Sequence, residues 1–368
     1  MNPLKQLQQY EQSIWLDYID RHLVSTDGLV RLMADDDLRG LTSNPAIFEK
    51  AIASDGAYQA DLQALRGQGL APMEMLERLV LPDIRAAAVQ LRPVYESSQR
   101  RDGYVSLEVP PTLAFDTQAT LLEARRLWHA VGQDNLMIKV PATPAGLPAI
   151  TQLIAEGINV NVTLLFSRKR YVQVAEAYLA GLAQRAADGH ALDGVASVAS
   201  FFVSRIDTVV DERLADALEA CGDACERGVI RSLMGRAAIA NAKLAYQHYQ
   251  MIYSGAHWRA LAEQGAQTQR LLWASTGVKN PAYRDVLYIE ELIGANTVNT
   301  VPPATLAAFR EHGRVRPSLE EDVSGAAQLL SALADRGIAL ERITEQLLDA
   351  GLTVFVQAYD KLLTSLAR

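Results

Sequence analysis

The chain predicts an α/β protein, a (β/α)8 barrel carrying extra helical insertions and a helical C-terminal tail. Three observations predict it: eight short β-type runs, amphipathic helical patterns between them, and connections too long for hairpins, which require parallel strands. The runs cover residues 14–19, 38–42, 104–109, 136–140, 158–165, 195–203, 271–275 and 297–301. The first reads Ile14-Trp15-Leu16 and is interrupted by Asp17; in the third, Glu108 follows Val105-Ser106-Leu107. The fourth holds Lys139 inside Met137-Ile138-Lys139-Val140. In the fifth, Ile158, Val160, Val162 and Leu164 alternate with Asn159, Asn161 and Thr163, so one whole face is polar. Between strands the period changes. Residues 118–131 set Leu121, Trp128 and Val131 on one face, and 168–184 do so with Tyr171, Val174, Tyr178 and Leu182, as amphipathic helices require.

At 368 residues, length alone admits two domains or one large barrel. The surplus over a minimal barrel falls in Ala-rich helical stretches at about 56–101 and 214–269, and in a helical tail at 318–368. No Pro/Gly/Ser linker, low-complexity tract or short repeat divides the chain, so a single domain over 1–368 is expected.

Composition narrows the function. With 49% hydrophobic residues, 21% charged and mean hydropathy +0.01, the chain has material for a buried core. Acidic residues outnumber basic ones 43 to 35, a net charge of -8, which argues against nucleic acid, whose affinity comes from Lys and Arg on phosphates. Residues 1–13 are polar and Gln-rich, and no apolar run approaches the roughly 18–20 residues of a membrane span; a cytoplasmic protein without a membrane role is expected. Cys221 and Cys225 read as half-buried small side chains, and the scattered histidines form no ligand pattern, so neither metal nor cofactor is expected. Asp35-Asp36-Asp37 reads as a solvated turn, and Glu320-Glu321-Asp322 as the first turn of a helix.

Charges inside buried parallel strands need a reason. Asp17, Glu108 and Lys139 sharing one lumen could be a structural ion network or an active site at the strands' C-terminal ends. A desolvated lysine there suggests Schiff-base chemistry on a ketone. The two carboxylates alone would also fit a glycosidase, which leaves Lys139 unexplained. Two further motifs suit an anion: Ser200-Phe201-Phe202-Val203-Ser204-Arg205, and Ser275-Thr276-Gly277-Val278-Lys279-Asn280, where a Gly turn could aim N–H groups and an ammonium at a phosphate.

The ordered motifs resemble the transaldolase family, particularly its longer bacterial form. They run from Trp15-Leu16-Asp17 and Leu41-Thr42-Ser43-Asn44-Pro45 through Ser106-Leu107-Glu108-Val109, Met137-Ile138-Lys139-Val140-Pro141-Ala142-Thr143 and Asn161-Val162-Thr163-Leu164-Leu165-Phe166-Ser167. They end at Asn296-Thr297-Val298-Asn299-Thr300-Val301-Pro302-Pro303. The resemblance covers roughly residues 13–310 and is weaker in the tail. It implies a cofactor-free transferase of the pentose phosphate pathway, passing a dihydroxyacetone unit between sugar phosphates. It implies Lys139 as the Schiff-base lysine, Asp17 as acid/base, and Glu108 with Thr163 on a catalytic water. Thr42, Asn44, Asn161, Ser200 and Phe202 would meet substrate, and Arg205, Ser275 and Lys279 its phosphate. Lys279 stands near where relatives carry a second arginine; an ammonium keeps the charge and loses the bidentate fork. The related fructose-6-phosphate aldolases are shorter, with Gln in place of Glu108 and Tyr near Phe202. Simple aldol cleavage and a silent sugar-phosphate-binding barrel are the alternatives, and monomer and homodimer both stay open.

Overall fold

The computed structural model describes residues 2–54 and 56–367; Met1, Asp55 and Arg368 lie outside them. Eight parallel strands close into one barrel in sequence order: β1 (Gln12–Leu16), β2 (Leu38–Leu41), β3 (Tyr104–Glu108), β4 (Leu136–Pro141), β5 (Val160–Leu165), β6 (Ser197–Phe202), β7 (Arg270–Ala274) and β8 (Thr297–Val301). Each predicted run contributes one strand. β1 begins earlier than its sequence suggests, where the Gln12 side chain donates to Leu292 O at 2.7 Å and Thr297 Oγ1 at 2.9 Å, and it ends at Leu16. Asp17 therefore stands just past the strand end, its N–H on Val301 O at 2.8 Å.

Register does the first part of building the site. Glu108 pairs with Lys139 across β3 and β4, and Lys139 pairs with Asn161 across β4 and β5, so the pleat turns all three to the same face. Close approach of β2 to β1 depends on Gly40, where a Cβ would lie 2.6 Å from the Trp15 ring.

The barrel's N-terminal end is closed by a charge network that strand patterns do not reveal. Asp102 accepts from Arg270 Nη2 at 2.8 Å, Ser13 Oγ at 2.7 Å and Trp15 Nε1 at 3.1 Å. Burial pushes the Asp102 carboxyl up, but Arg270 and these hydrogen bonds outweigh it and hold the pKa below its ordinary value. This pair is fully satisfied, as a structural network at the stability face should be.

The long helix Pro72–Ser97 packs on β2 and β3, so much of 56–101 is the crossover between those strands. The region 214–269 holds the end of Ser204–Ala220 with Ala224–Leu233, Ala237–Ser254 and Ala256–Ala262. The tail forms Val323–Asp335 and the 27-residue helix Leu340–Leu366, which packs on Pro45–Ser54 and Pro72–Ser97. Among the described residues no helix is long and apolar enough to cross a membrane.

Three local expectations are corrected. Asp35-Asp36-Asp37 is not a solvated turn: Asp36 ends the helix Gly28–Asp36, is fully buried, and accepts from Arg310 Nε and Asn2 Nδ2, both at 2.8 Å. Glu320 and Glu321 precede their helix, and Asp322 caps it, accepting from Gly325 N at 3.0 Å. Cys225 is exposed.

Candidate active site

The site lies at the C-terminal ends of the strands. Lys139, mid-β4, is 4% exposed. Its Nζ donates to Ser43 O at 2.9 Å and stands 3.2 Å from Glu108 Oε2. The Ser43 carbonyl is placed by the turn after β2, where Ser43 Oγ bonds Ser106 O at 2.7 Å. Asp17 accepts from Thr42 Oγ1 at 2.7 Å, and that hydroxyl also meets Thr300 Oγ1 at 2.8 Å.

Burial dominates the electrostatics of both acids. It pushes the Asp17 carboxyl above its ordinary value, against the pull of Lys139, the Thr42 hydroxyl and Lys279. It pushes the Glu108 carboxyl up as well, against Lys139 and with help from the negative charge of Asp17. Neither Glu108 oxygen has an aligned hydrogen-bond donor, and Thr163 Oγ1 is likewise buried without a partner. The contrast with Asp102 is the informative point: one lumen network is saturated, the other keeps polar capacity for a further group.

A cavity of about 290 Å³ opens above these residues. Ten of the twelve residues singled out in the sequence line it: Asp17, Thr42, Asn44, Lys139, Thr163, Ser200, Phe202, Arg205, Ser275 and Lys279. Glu108 and Asn161 do not. Glu108 sits behind Lys139 and borders a separate, mostly apolar crevice with Leu107, Pro110 and Leu127. Asn161 is fully buried, its amide shared between Ser106 Oγ at 3.0 Å and Ser200 Oγ at 2.6 Å. Asn44 caps the helix Pro45–Ser54, accepting from Ile47 N at 3.1 Å.

Cations gather on the opposite wall. Arg205 enters the helix Ser204–Ala220 half-buried, its guanidinium 5.6 Å over the Phe202 ring, and burial lowers its pKa. Loops after β6 and β7 are tied by Ser204 N to Ser275 O at 3.1 Å and by the two Oγ atoms at 3.0 Å. In the turn after β7 the left-handed residue is Ser275, with φ 55°, and not Gly277. Gly277 serves close packing, since a Cβ there would stand 3.3 Å from Pro302. Lys279 is exposed at the rim.

Sequence reasoning missed Ser43 O, Thr300, Lys50 and the C-terminal helix, whose Val354 and Phe355 line the cavity. Ser43 and Thr300 sat inside recognised motifs; nothing local marked Phe355.

Two residues after Arg205 in the same helix, Asp207 is buried and accepts from Ala238 N and Tyr288 OH, both at 2.8 Å. Burial raises its pKa from 3.8 to about 7 against those bonds. Between these values the folded chain holds a proton that the unfolded chain has lost, so this group's contribution to stability falls as pH rises through the window. Asp207→Asn carries no charge: its amide oxygen can still accept from Ala238 N, and its amide N–H can donate to the Tyr288 hydroxyl in place of the bond now accepted from it. Its stability relative to wild type is expected to improve from below pH 3.8 to above about 7, as read by urea unfolding; a pH-independent difference refutes this.

The sequence matches the family described as Transaldolase/Fructose-6-phosphate aldolase over residues 14–366. Similar proteins include Transaldolase 2 of Nostoc sp. strain PCC 7120, 48% identical with 100% of this chain and 97% of that protein covered. Transaldolase of Thiobacillus denitrificans is 47% identical with both chains fully covered. Transaldolase of Thermobifida fusca is 46% identical, with 100% and 98% covered.

Proposed function

Because the chain belongs to the transaldolase/fructose-6-phosphate aldolase family, a family of carbohydrate metabolism, we propose a lysine Schiff-base mechanism of dihydroxyacetone transfer for this transferase. The observation that supports it most is the buried Lys139 amine, held between the Ser43 carbonyl and the Glu108 carboxyl at the cavity floor. Lys139 attacks the ketone of fructose 6-phosphate or sedoheptulose 7-phosphate, and loss of water leaves a protonated imine. Burial makes Asp17 and Glu108 better proton acceptors than free carboxylates. Asp17 takes the proton from the hydroxyl two carbons beyond the imine. The adjacent carbon–carbon bond breaks, an aldose phosphate leaves, and a three-carbon enamine stays on Lys139. That enamine adds to the aldehyde of glyceraldehyde 3-phosphate or erythrose 4-phosphate, and hydrolysis frees the new ketose.

In this reading a water held by Glu108 and Thr163 serves imine formation and hydrolysis; the partnerless Thr163 hydroxyl and the Glu108 carboxyl, whose Oε2 faces only the Lys139 amine, suit that role. Thr42, Asn44 and Ser200 take substrate hydroxyls, with Asn161 orienting Ser200. Arg205, Ser275 and Lys279 take the phosphate. A cytoplasmic setting goes with such phosphorylated substrates, and neither a metal nor a cofactor enters any step.

The test is borohydride reduction with fructose 6-phosphate, followed by peptide mass mapping. A three-carbon adduct on Lys139 supports the mechanism. Binding of sugar phosphate with no adduct on any lysine sinks it and favours a silent barrel. Dihydroxyacetone release that is unaffected by an acceptor aldose favours simple aldol cleavage.

Arg205→Ala is expected to raise KM about ten- to a hundredfold with a smaller change in kcat, because phosphate binding is shared by ground and transition states. Unchanged KM for phosphorylated sugars would move the anion site elsewhere.

A further inference from the structure

Phe355 reaches the catalytic cavity from the far end of the chain. It is 4% exposed and, with Val354, lines the cavity that holds Lys139, Asp17 and Arg205. The helix Leu340–Leu366 is seated there by close contact. At Gly351, one turn before Phe355, a Cβ would stand 2.9 Å from Leu164 Cδ2 and 3.5 Å from Arg205 Nη1. Leu164 follows Thr163 at the irregular end of β5, with φ 56°. The helix thus rests on the strand end that carries one site residue and beside the guanidinium of another. Farther along, Lys361 pairs with Glu49 at 2.5 Å and Tyr359 OH meets Met73 Sδ at 2.9 Å, so the roof is pinned to the helices after β2.

A polyhydroxylated phosphate ester is bound by polar groups, and the strand ends supply those. The Phe355 ring adds no hydrogen bond, and what it contributes is exclusion of water. We propose that Phe355 is a specificity-determining residue for transfer, shielding the covalent three-carbon intermediate so that it reaches an aldose phosphate before water ends it. The competing loss is explicit: the enamine carbon takes a proton from Asp17 or from water, and a water molecule adds to the resulting iminium carbon. The carbon–nitrogen bond then breaks, releasing dihydroxyacetone and the free Lys139 amine. This inference rests on the Schiff-base reading, and its test separates the two.

Wild type, Phe355→Ala and Phe355→Leu are incubated with fructose 6-phosphate and erythrose 4-phosphate. Free dihydroxyacetone is measured against sedoheptulose 7-phosphate, with borohydride trapping in parallel. Phe355→Ala is expected to raise the release-to-transfer ratio about tenfold or more, the scale of one changed hydrophobic contact in a site, with the Lys139 adduct retained. Phe355→Leu, which keeps apolar bulk, raises it less. An unchanged ratio in a folded, adduct-forming Phe355→Ala enzyme overturns the proposal. Should that variant not fold, Phe355→Leu decides: a raised ratio supports the shielding role and an unchanged ratio overturns it. Absence of the adduct in wild type overturns the Schiff-base reading, and this inference with it.

Discussion

Lys139→Met is expected to give a folded protein with no borohydride-trapped adduct and turnover reduced by more than about 10⁵-fold, the scale of losing a covalent nucleophile. Methionine fills nearly the same volume, so the lumen stays packed. The change also removes the partner of a buried carboxylate, which ordinarily destabilises strongly. Here Glu108 already has its carboxyl pushed up by burial, so without Lys139 it takes a proton instead of standing as an uncompensated charge. A thermal melt and sugar-phosphate binding distinguish lost chemistry from lost fold. Substantial turnover in the variant would remove Lys139 from the mechanism.

Asp17→Asn is expected to separate imine formation from bond cleavage. The amide oxygen can still accept from Thr42 Oγ1, the contact now at 2.7 Å, but it cannot take the proton that cleavage releases. Turnover should fall about 100- to 10,000-fold, the range for a positioned acid/base group, while Lys139 still condenses with the ketone. Borohydride should then trap a six-carbon adduct from fructose 6-phosphate where wild type yields the three-carbon one. The pH profile carries a second signature. Burial raises the Asp17 pKa, and cleavage needs the carboxylate, so wild-type kcat should decline as pH falls through that raised value. The variant lacks this limb. A three-carbon adduct formed at the normal rate would assign the proton to another group.

Much of this site was legible because it breaks a local rule. Charges in near-continuous Val, Ile and Leu strands stand out without any tertiary information, and Asp17, Glu108 and Lys139 were found that way. Thr163 stood on the polar face of the fifth strand, Thr42 and Asn44 came from motif resemblance, and all three line the cavity with Asp17 and Lys139. Asp36 shows the opposite failure. Three consecutive aspartates look solvated, yet the middle one is buried against Arg310, 274 positions away. Asp102 and Arg270 escaped notice because each stands at a strand boundary, where a charge is unremarkable.

By itself the sequence determined the barrel, since strand and helix periods are local and the parallel order follows from connection length. It also determined that Asp17, Glu108 and Lys139 would have to be accommodated in the lumen. Only the tertiary structure decided that Glu108 lies behind Lys139 and that Asn161 acts on Ser200. It alone decided that the C-terminal helix roofs the cavity through Phe355. The reason is physical: periodicity records which face of an element is buried, whereas the surface that buries it is chosen by packing between residues far apart in the chain. An amphipathic tail helix has the same pattern wherever it docks, and here the smallness of Gly351 lets it dock over Leu164 and Arg205.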